Sequence, residues 1–259
     1  RYPRVLGSYR INEDKRFNLD SVVGDFVLHK TIKKYSFIHI KNGITRRLFG
    51  YNGNIKYINS EILDKTDNKT IAMSIGGDNY CYGYPSNWMY LNQSCKDKSA
   101  TTVLWGCSIE PDVLDANVIA DLKRYDLITP RESITYNALL EKGINKNTCL
   151  FPDPAFILDK INLPLPEGFD ENNTVGLNVS PLIMRLEKGD NITYKNYANL
   201  IEHIIGTTDM QVALIPHVTW EHNNDLEPLT ALYDQFKDTG RVVMFGDQYN
   251  CMELKGFIS

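Results

Sequence analysis

Short apolar runs recur along the chain, each cut off by glycine or proline, with stretches of helical spacing between them. The run at 70–75 (T-I-A-M-S-I) stops at Gly76-Gly77, that at 101–105 (T-T-V-L-W) at Gly106 and that at 125–129 (Y-D-L-I-T) at Pro130. A further run at 148–151 is closed by Pro152-Asp153-Pro154. Residues 134–142 carry apolar positions at helical intervals, with Gly143 as a C-terminal stop. Nearer the N-terminus, Gly24-Asp25 opens an amphipathic stretch at 26–34, followed by a short apolar run at 36–40. Brief apolar strands alternating with helices predict a parallel sheet covered on both faces.

Residues 158–173 break this rhythm, with two prolines, a glycine and several charges, and read as a linker. A second series follows: strands at 174–179, 211–215 and 241–245, helices at 194–205 and 226–236, and the start of one more helix at 252–258. The expected organisation is a lobe at 1–157, a linker at 158–173 and a second lobe at 174–259. Three strands are few for a doubly wound sheet, so the second lobe is expected to lack its C-terminal part.

Composition narrows the class. The 259 residues are 42% hydrophobic and 23% charged, which is ordinary for a globular chain and excludes a disordered one. A formal charge of −4 argues against a general nucleic-acid binder. No apolar run approaches the roughly 18 residues of a membrane span. The cysteines (Cys81, Cys95, Cys107, Cys149, Cys251) are odd in number and lack a C-x-x-C pair, which reads as reduced thiols in a cytosolic setting. The histidines are too scattered to suggest a metal site. N-x-S/T sequons occur at Asn68, Asn92, Asn172, Asn178 and Asn191; a chain rich in Asn supplies them by chance, and Asn178 falls inside an expected buried strand.

In parallel α/β sheets, ligands bind beyond the carboxyl ends of the strands. Four segments place special residues there. Gly76 and Gly77 let backbone N–H groups approach a ligand, and Asp78 can accept from hydroxyls; a plain tight turn explains the trio equally well. Gly24 and Asp25 form a second candidate, with a helix-capping Asp as the alternative. Arg131, just before a helix that opens at Ser133, combines a rigid fork of donors with a favourable dipole and suits a carboxylate or phosphate. A surface Arg paired with Glu132 or Asp126 is the competing explanation. His217, after the 211–215 strand, is a candidate proton carrier or anion contact, against the commoner case of a satisfied core-edge histidine. No nucleophile elbow, Walker loop or G-x-G-x-x-G occurs. The residues by themselves describe a two-lobed α/β protein that binds an anion.

Read together and in order, these segments resemble the polysaccharide pyruvyl transferase family. The resemblance rests on G-G-D at 76–78, P-R-E-S at 130–133, P-D-P-A-F at 152–156, G-L-N-V-S at 176–180, I-P-H at 215–217 and E-L-K-G-F-I-S at 253–259, with Gly24-Asp25 matching an N-terminal G-D. It implies two Rossmann-like lobes in a GT-B-like arrangement. It also implies transfer of pyruvate from phosphoenolpyruvate, a donor substrate rather than a cofactor, to sugar hydroxyls of a polysaccharide or a lipid-linked glycan precursor, forming a ketal. On that basis Arg131 is expected to clamp the donor, helped by Ser133 and the helix N-terminus. Asp78 is expected to serve acceptor hydroxyls or loop structure, and His217 to be the catalytic candidate.

Two departures stand out. Glu132 replaces the Asp that usually follows the Arg, and the family's R-x-H segment would fall after Ser259. Competing readings are a GT-B glycosyltransferase using a nucleotide sugar, and a non-catalytic relative acting as a binding protein. No export signal is visible, so the expected location is cytoplasmic or at the membrane surface, with no metal required.

Overall fold

A computed structural model describes residues 36–37, 40–41, 43–44, 55, 59–75, 77–220 and 223–259. The 26–34 stretch and Gly24-Asp25 lie outside these. The chain divides into two compact units, Arg1–Ile157 and Leu158–Ser259. Together they hold two small parallel sheets, an α/β fold.

In the first unit, helix α1 (Ser60–Lys65) leads to strand β1 (Ile71–Ser74), helix α2 (Ser86–Asp97) and strand β2 (Thr101–Cys107). Helix α3 (Ala116–Leu122), strand β3 (Leu127–Pro130) and helix α4 (Ser133–Glu141) follow. The sheet order is β1-β2-β3, with Ile71 opposite Thr101 and Val103 opposite Leu127. Parallel strands need crossovers, which is why a helix stands between each pair. The core forms where Leu104 and Ile128 meet Val118, Leu122 and Leu139, all fully buried. β2 runs two residues past the apolar run, because Gly106 takes φ +61° and makes a bulge between Trp105 and Cys107. Gly106 is also tightly covered: a Cβ there would lie 2.7 Å from Pro154 Cδ.

The 148–151 run does not become a full strand. It makes one bridge, Thr148 to Ile128, and donates from Cys149 N to Ile128 O and from Phe151 N to Pro130 O. Thr148 is buried but Leu150 and Phe151 stay exposed, so beyond the bridge this edge has backbone pairing without side-chain burial.

The second unit contains β4 (Thr174–Leu177), α5 (Pro181–Leu186), α6 (Ile192–Thr207) and β5 (Gln211–Leu214). A short antiparallel pair, β6 (Thr219–Trp220) and β7 (Asn223–Asn224), precedes α7 (Leu226–Phe236), β8 (Val242–Met244) and α8 (Cys251–Ile258). The order β4-β5-β8 is again parallel, and every residue of the central strand β5 is buried. Asn178 lies just beyond β4 and is exposed, so the expectation of a buried strand position there is corrected: the strand stops at Leu177. The proline-containing stretch 158–173 packs on this unit. Ile161 N donates to Met252 O, Gln211 Nε2 to Gly168 O, and the Phe169 ring packs tilted against Phe245 with centroids 4.4 Å apart. Gly256 is required in α8 because a Cβ would collide with Ile161 O.

All five cysteines are free thiols. Among the described residues no helix is long and apolar enough to cross a membrane.

Candidate functional site

The carboxyl ends of β1, β2 and β3 are joined by one side chain, Arg131. Its Nε donates to Ser108 Oγ at 2.8 Å, its NH1 to Asp153 Oδ2 at 3.0 Å, and its NH2 to Asp78 Oδ1. Its backbone N donates to Cys107 O at 3.0 Å. Ser108 N reaches Gly77 O at 2.8 Å, and Cys81 Sγ donates to Ser108 O at 3.1 Å. Segments far apart in sequence therefore meet in one network, with a single guanidinium set against two carboxylates, a formal charge of −1. The side chains remain within reach of water, at 28% exposure for Arg131, 38% for Asp78 and 33% for Asp153. Burial would weaken the Arg131 charge, but the Asp153 and Asp78 carboxylates outweigh it and raise its pKa.

Gly77 is the condition for this packing. Its φ is +69°, and a Cβ there would lie 2.5 Å from Arg131 NH1. Asp153 is doubly used, since its Oδ1 also accepts from Ala155 N at 2.9 Å and fixes the turn Pro154–Ile157. Among the described residues Asp78 has no comparable tie, only a long 3.4 Å contact from the Tyr82 hydroxyl to its other oxygen.

Helix α4 begins two residues after Arg131, and two of its first N–H groups are already used. The Glu132 carboxylate accepts from Ile134 N at 2.6 Å, from Thr135 N at 3.0 Å and from the Thr135 hydroxyl. Glu thus does here what a capping Asp does elsewhere. Ser133, the first helical residue, is exposed.

Beneath the loop after β1 lies a buried polar knot. Tyr80 OH donates to Asp121 Oδ2 at 2.7 Å, and Asn92 Nδ2 to Asp121 Oδ1 at 3.0 Å. Asn92 is only 3% exposed, which removes its sequon from any surface role in the folded chain. Burial raises the Asp121 pKa despite the Tyr80 and Asn92 hydrogen bonds, and burial also pushes the Cys107 thiol up to about 12.

The carboxyl edge of the second sheet is organised by Asp225, which is 1% exposed. Its Oδ2 accepts from His217 N at 3.0 Å, Val218 N at 2.9 Å and Asn178 Nδ2 at 2.9 Å. Asn178 Nδ2 also donates to Ile215 O, tying the end of β4 to the end of β5. Asp225 precedes α7 but its side chain makes no capping bond to it; the carboxylate turns back to the 217–218 amides. His217 itself is exposed.

A family model for polysaccharide pyruvyl transferase matches residues 8–259. The chain belongs to this family. None of the curated proteins matches the sequence. In this pyruvyl transferase relative, the resemblance motifs sort onto the two edges. Gly77 and Asp78, Arg131, and Asp153 from the P-D-P-A-F segment make the first; Asn178 from G-L-N-V-S and His217 from I-P-H meet at the second. Of the residues expected from sequence, Gly24, Asp25 and Gly76 fall outside the described ones. Arg131 is not the free cation a donor clamp suggests, because Asp78 and Asp153 already occupy it. The α4 N-terminus is likewise occupied, by Glu132. Asp153 and Asp225 were not foreseen as site residues. Asp153 was visible inside a quoted motif, whereas Asp225 looks in sequence like an ordinary helix cap. Among the described residues no three His, Cys, Asp or Glu side chains come together to hold a metal.

Proposed function

We propose that the protein transfers the pyruvyl group of phosphoenolpyruvate to two hydroxyls of a sugar in a polysaccharide or its lipid-linked precursor. The observation that carries this reading is the family match over residues 8–259, three of whose motifs converge on Arg131. The two α/β units are read as the Rossmann-like lobes of a GT-B-like enzyme.

Arg131 is the donor-binding group in this scheme, and it acts by exchange. A trianionic donor meets a site of formal charge −1, so one carboxylate must leave the guanidinium before the donor carboxylate can take its place. Asp78 is the one to leave, because Asp153 is held by its turn and Asp78 is not. Released, Asp78 accepts a hydrogen bond from an acceptor hydroxyl, and Ser133 adds a hydroxyl beside the donor. A general acid delivers a proton to the methylene carbon and C2 becomes electrophilic. One sugar oxygen bonds to C2, the C2–O bond to phosphate breaks, and the second sugar oxygen closes the ketal. Of the two hydroxyl protons, the balance places one on the new methyl group and one on phosphate.

The test is thermal stability with phosphoenolpyruvate, UDP-sugars and GDP-sugars, for the wild type and Arg131→Ala. A ligand at 100 times its Kd stabilises by about 2.7 kcal/mol. The expected result is a shift with phosphoenolpyruvate that disappears in the variant. A shift with a nucleotide sugar alone overturns the reading in favour of a glycosyltransferase, and no shift with any ligand favours a non-catalytic relative.

A further inference from the structure

The first sheet edge contains an irregularity that the reaction scheme leaves without a part. Strands β2 and β3 stay in register as far as Trp105 opposite Thr129, and the pairing then skips one residue, so that Cys107 lies opposite Pro130. The skipped residue is Gly106, in the left-handed region at φ +61°. A ladder continued without the skip would set Cys107 against Arg131; with it, Ser108 comes there. Shifting a strand by one residue turns its side chains to the other face, and bulges at sheet ends re-aim them in this way. The outcome is a closed ring of contacts. Arg131 N donates to Cys107 O at 3.0 Å, and Arg131 Nε donates to Ser108 Oγ at 2.8 Å. Ser108 is itself held at both ends of its main chain, since its N donates to Gly77 O at 2.8 Å and its O accepts from Cys81 Sγ at 3.1 Å. The Arg131 side chain is thus anchored at its base and at Nε to two consecutive residues of one strand end.

We infer that Ser108 is the positioning residue for Arg131: through Nε it keeps the guanidinium aimed while Asp78 gives way to the donor. This rests on Arg131 being the donor-binding group of the reaction proposed above. Of the three side-chain acceptors that Arg131 meets among the described residues, only Ser108 is uncharged. Asp78 and Asp153 hold the guanidinium by opposing the charge that attracts an anion, whereas a hydroxyl at Nε fixes its plane and leaves that charge intact. Nε also lies apart from the two terminal nitrogens on which the carboxylates sit, so the Ser108 bond survives an exchange at NH2.

The experiment has two readouts on the full chain. Titration calorimetry measures phosphoenolpyruvate binding to the wild type, Ser108→Ala and Ser108→Thr, with near-UV circular dichroism establishing that each is folded. Ser108→Ala should weaken binding by about tenfold, and Ser108→Thr, which keeps the oxygen, by no more than about threefold. Nitrogen-15 spectra of the arginine side chains supply a signature that a merely structural role does not move. The Arg131 Nε–H signal, assigned by its loss in Arg131→Ala, should stay protected from exchange with water when the wild type is saturated with phosphoenolpyruvate. In Ser108→Ala the same signal should exchange rapidly. A folded Ser108→Ala with wild-type affinity overturns the inference, as do equal losses in the two folded variants, and as does an Nε–H signal that the donor itself exposes in the wild type. A wild type that does not bind phosphoenolpyruvate sinks the donor reading and this inference with it, a separate result from a wild type that binds beside an unaffected Ser108→Ala.

Discussion

The two sheets present carboxyl edges built on opposite principles. At the first, a cation gathers anions: Arg131 joins Asp78, Ser108 and Asp153 through side chains that remain partly open to water. At the second, a buried anion gathers neutral donors: Asp225 takes two main-chain amides and one side-chain amide with no cation in the set. An exposed ion cluster can exchange partners, since water and incoming ligands compete for each contact. A buried carboxylate bonded to amides cannot be exchanged cheaply, since opening it strands polar groups away from solvent. The first edge is thus suited to receiving a charged ligand and the second to holding a residue in place.

Breaking the second edge should have the largest effect. Asp225→Ala leaves two backbone amides without their acceptor, takes one of the two acceptors from Asn178 Nδ2, and should lower stability by about 3 kcal/mol. Urea denaturation measures this, and a loss no larger than that of a surface substitution would contradict the clasp. Arg131→Ala should follow at about 2 kcal/mol, because it removes charge-assisted hydrogen bonds from a partly exposed cluster and leaves Asp78 and Asp153 facing each other. The phosphoenolpyruvate-induced shift in Tm should vanish with it.

Asp78→Asn sharpens the comparison instead of breaking it. Removing the competing charge should tighten phosphoenolpyruvate binding by about tenfold, or 1.4 kcal/mol, while kcat falls for lack of the acceptor-binding carboxylate. Titration calorimetry reads the first quantity, and weaker binding would refute the exchange. Asp225→Asn should leave donor affinity unchanged in the same assay.

The smallest effect concerns pH. Burial raises the Asp121 pKa above its ordinary 3.8. A carboxyl with a raised folded pKa contributes stability that is complete below its unfolded value and is lost as pH rises through the folded one. From pH 4 to pH 7 the wild type should therefore lose stability relative to Asp121→Asn. Asp126 should act in the opposite sense. Burial alone would raise its pKa, yet Lys96 at 2.8 Å and Thr102 N at 2.7 Å hold it low. Its contribution is present above the unfolded value and lost as pH falls through the folded one. Parallel Tm profiles for the wild type and Asp121→Asn between pH 4 and 7 would exclude the first effect, and for Asp126→Asn below pH 4 the second.

Much of the secondary structure was legible because it depends on local pattern. The helix at 226–236 is found at those residues, β5 differs by one position, and α4 ends before Gly143, which takes φ +69°. The helices α2 and α3 carry no such local pattern. α2 is rich in polar residues, and its sequence S-N-W-M-Y-L-N-Q-S-C-K-D shows little apolar periodicity. α3 is only seven residues long, too short for a period to stand out, although Asp115 caps it by accepting from Asn117 N and Val118 N. The 148–151 run misled for the reverse reason. Its composition suits a strand, but its neighbours bury too little of it.

Sequence by itself determined the alternation of strand and helix, the parallel sheets it requires and the family, because each is carried by residue type and order. Arg131 and Asp78 were visible as chemistry of opposite sign, and their motifs as members of one pattern. Only the tertiary structure decided that they neutralise each other, with Asp153 as a second anion, since a charge is free or satisfied according to what the chain folds against it. It also decided that Asp225 serves the 217–218 turn and not the helix it precedes. A helix-capping carboxylate and a loop-clasping one have the same sequence, and they differ only in which amides the fold brings within 3 Å.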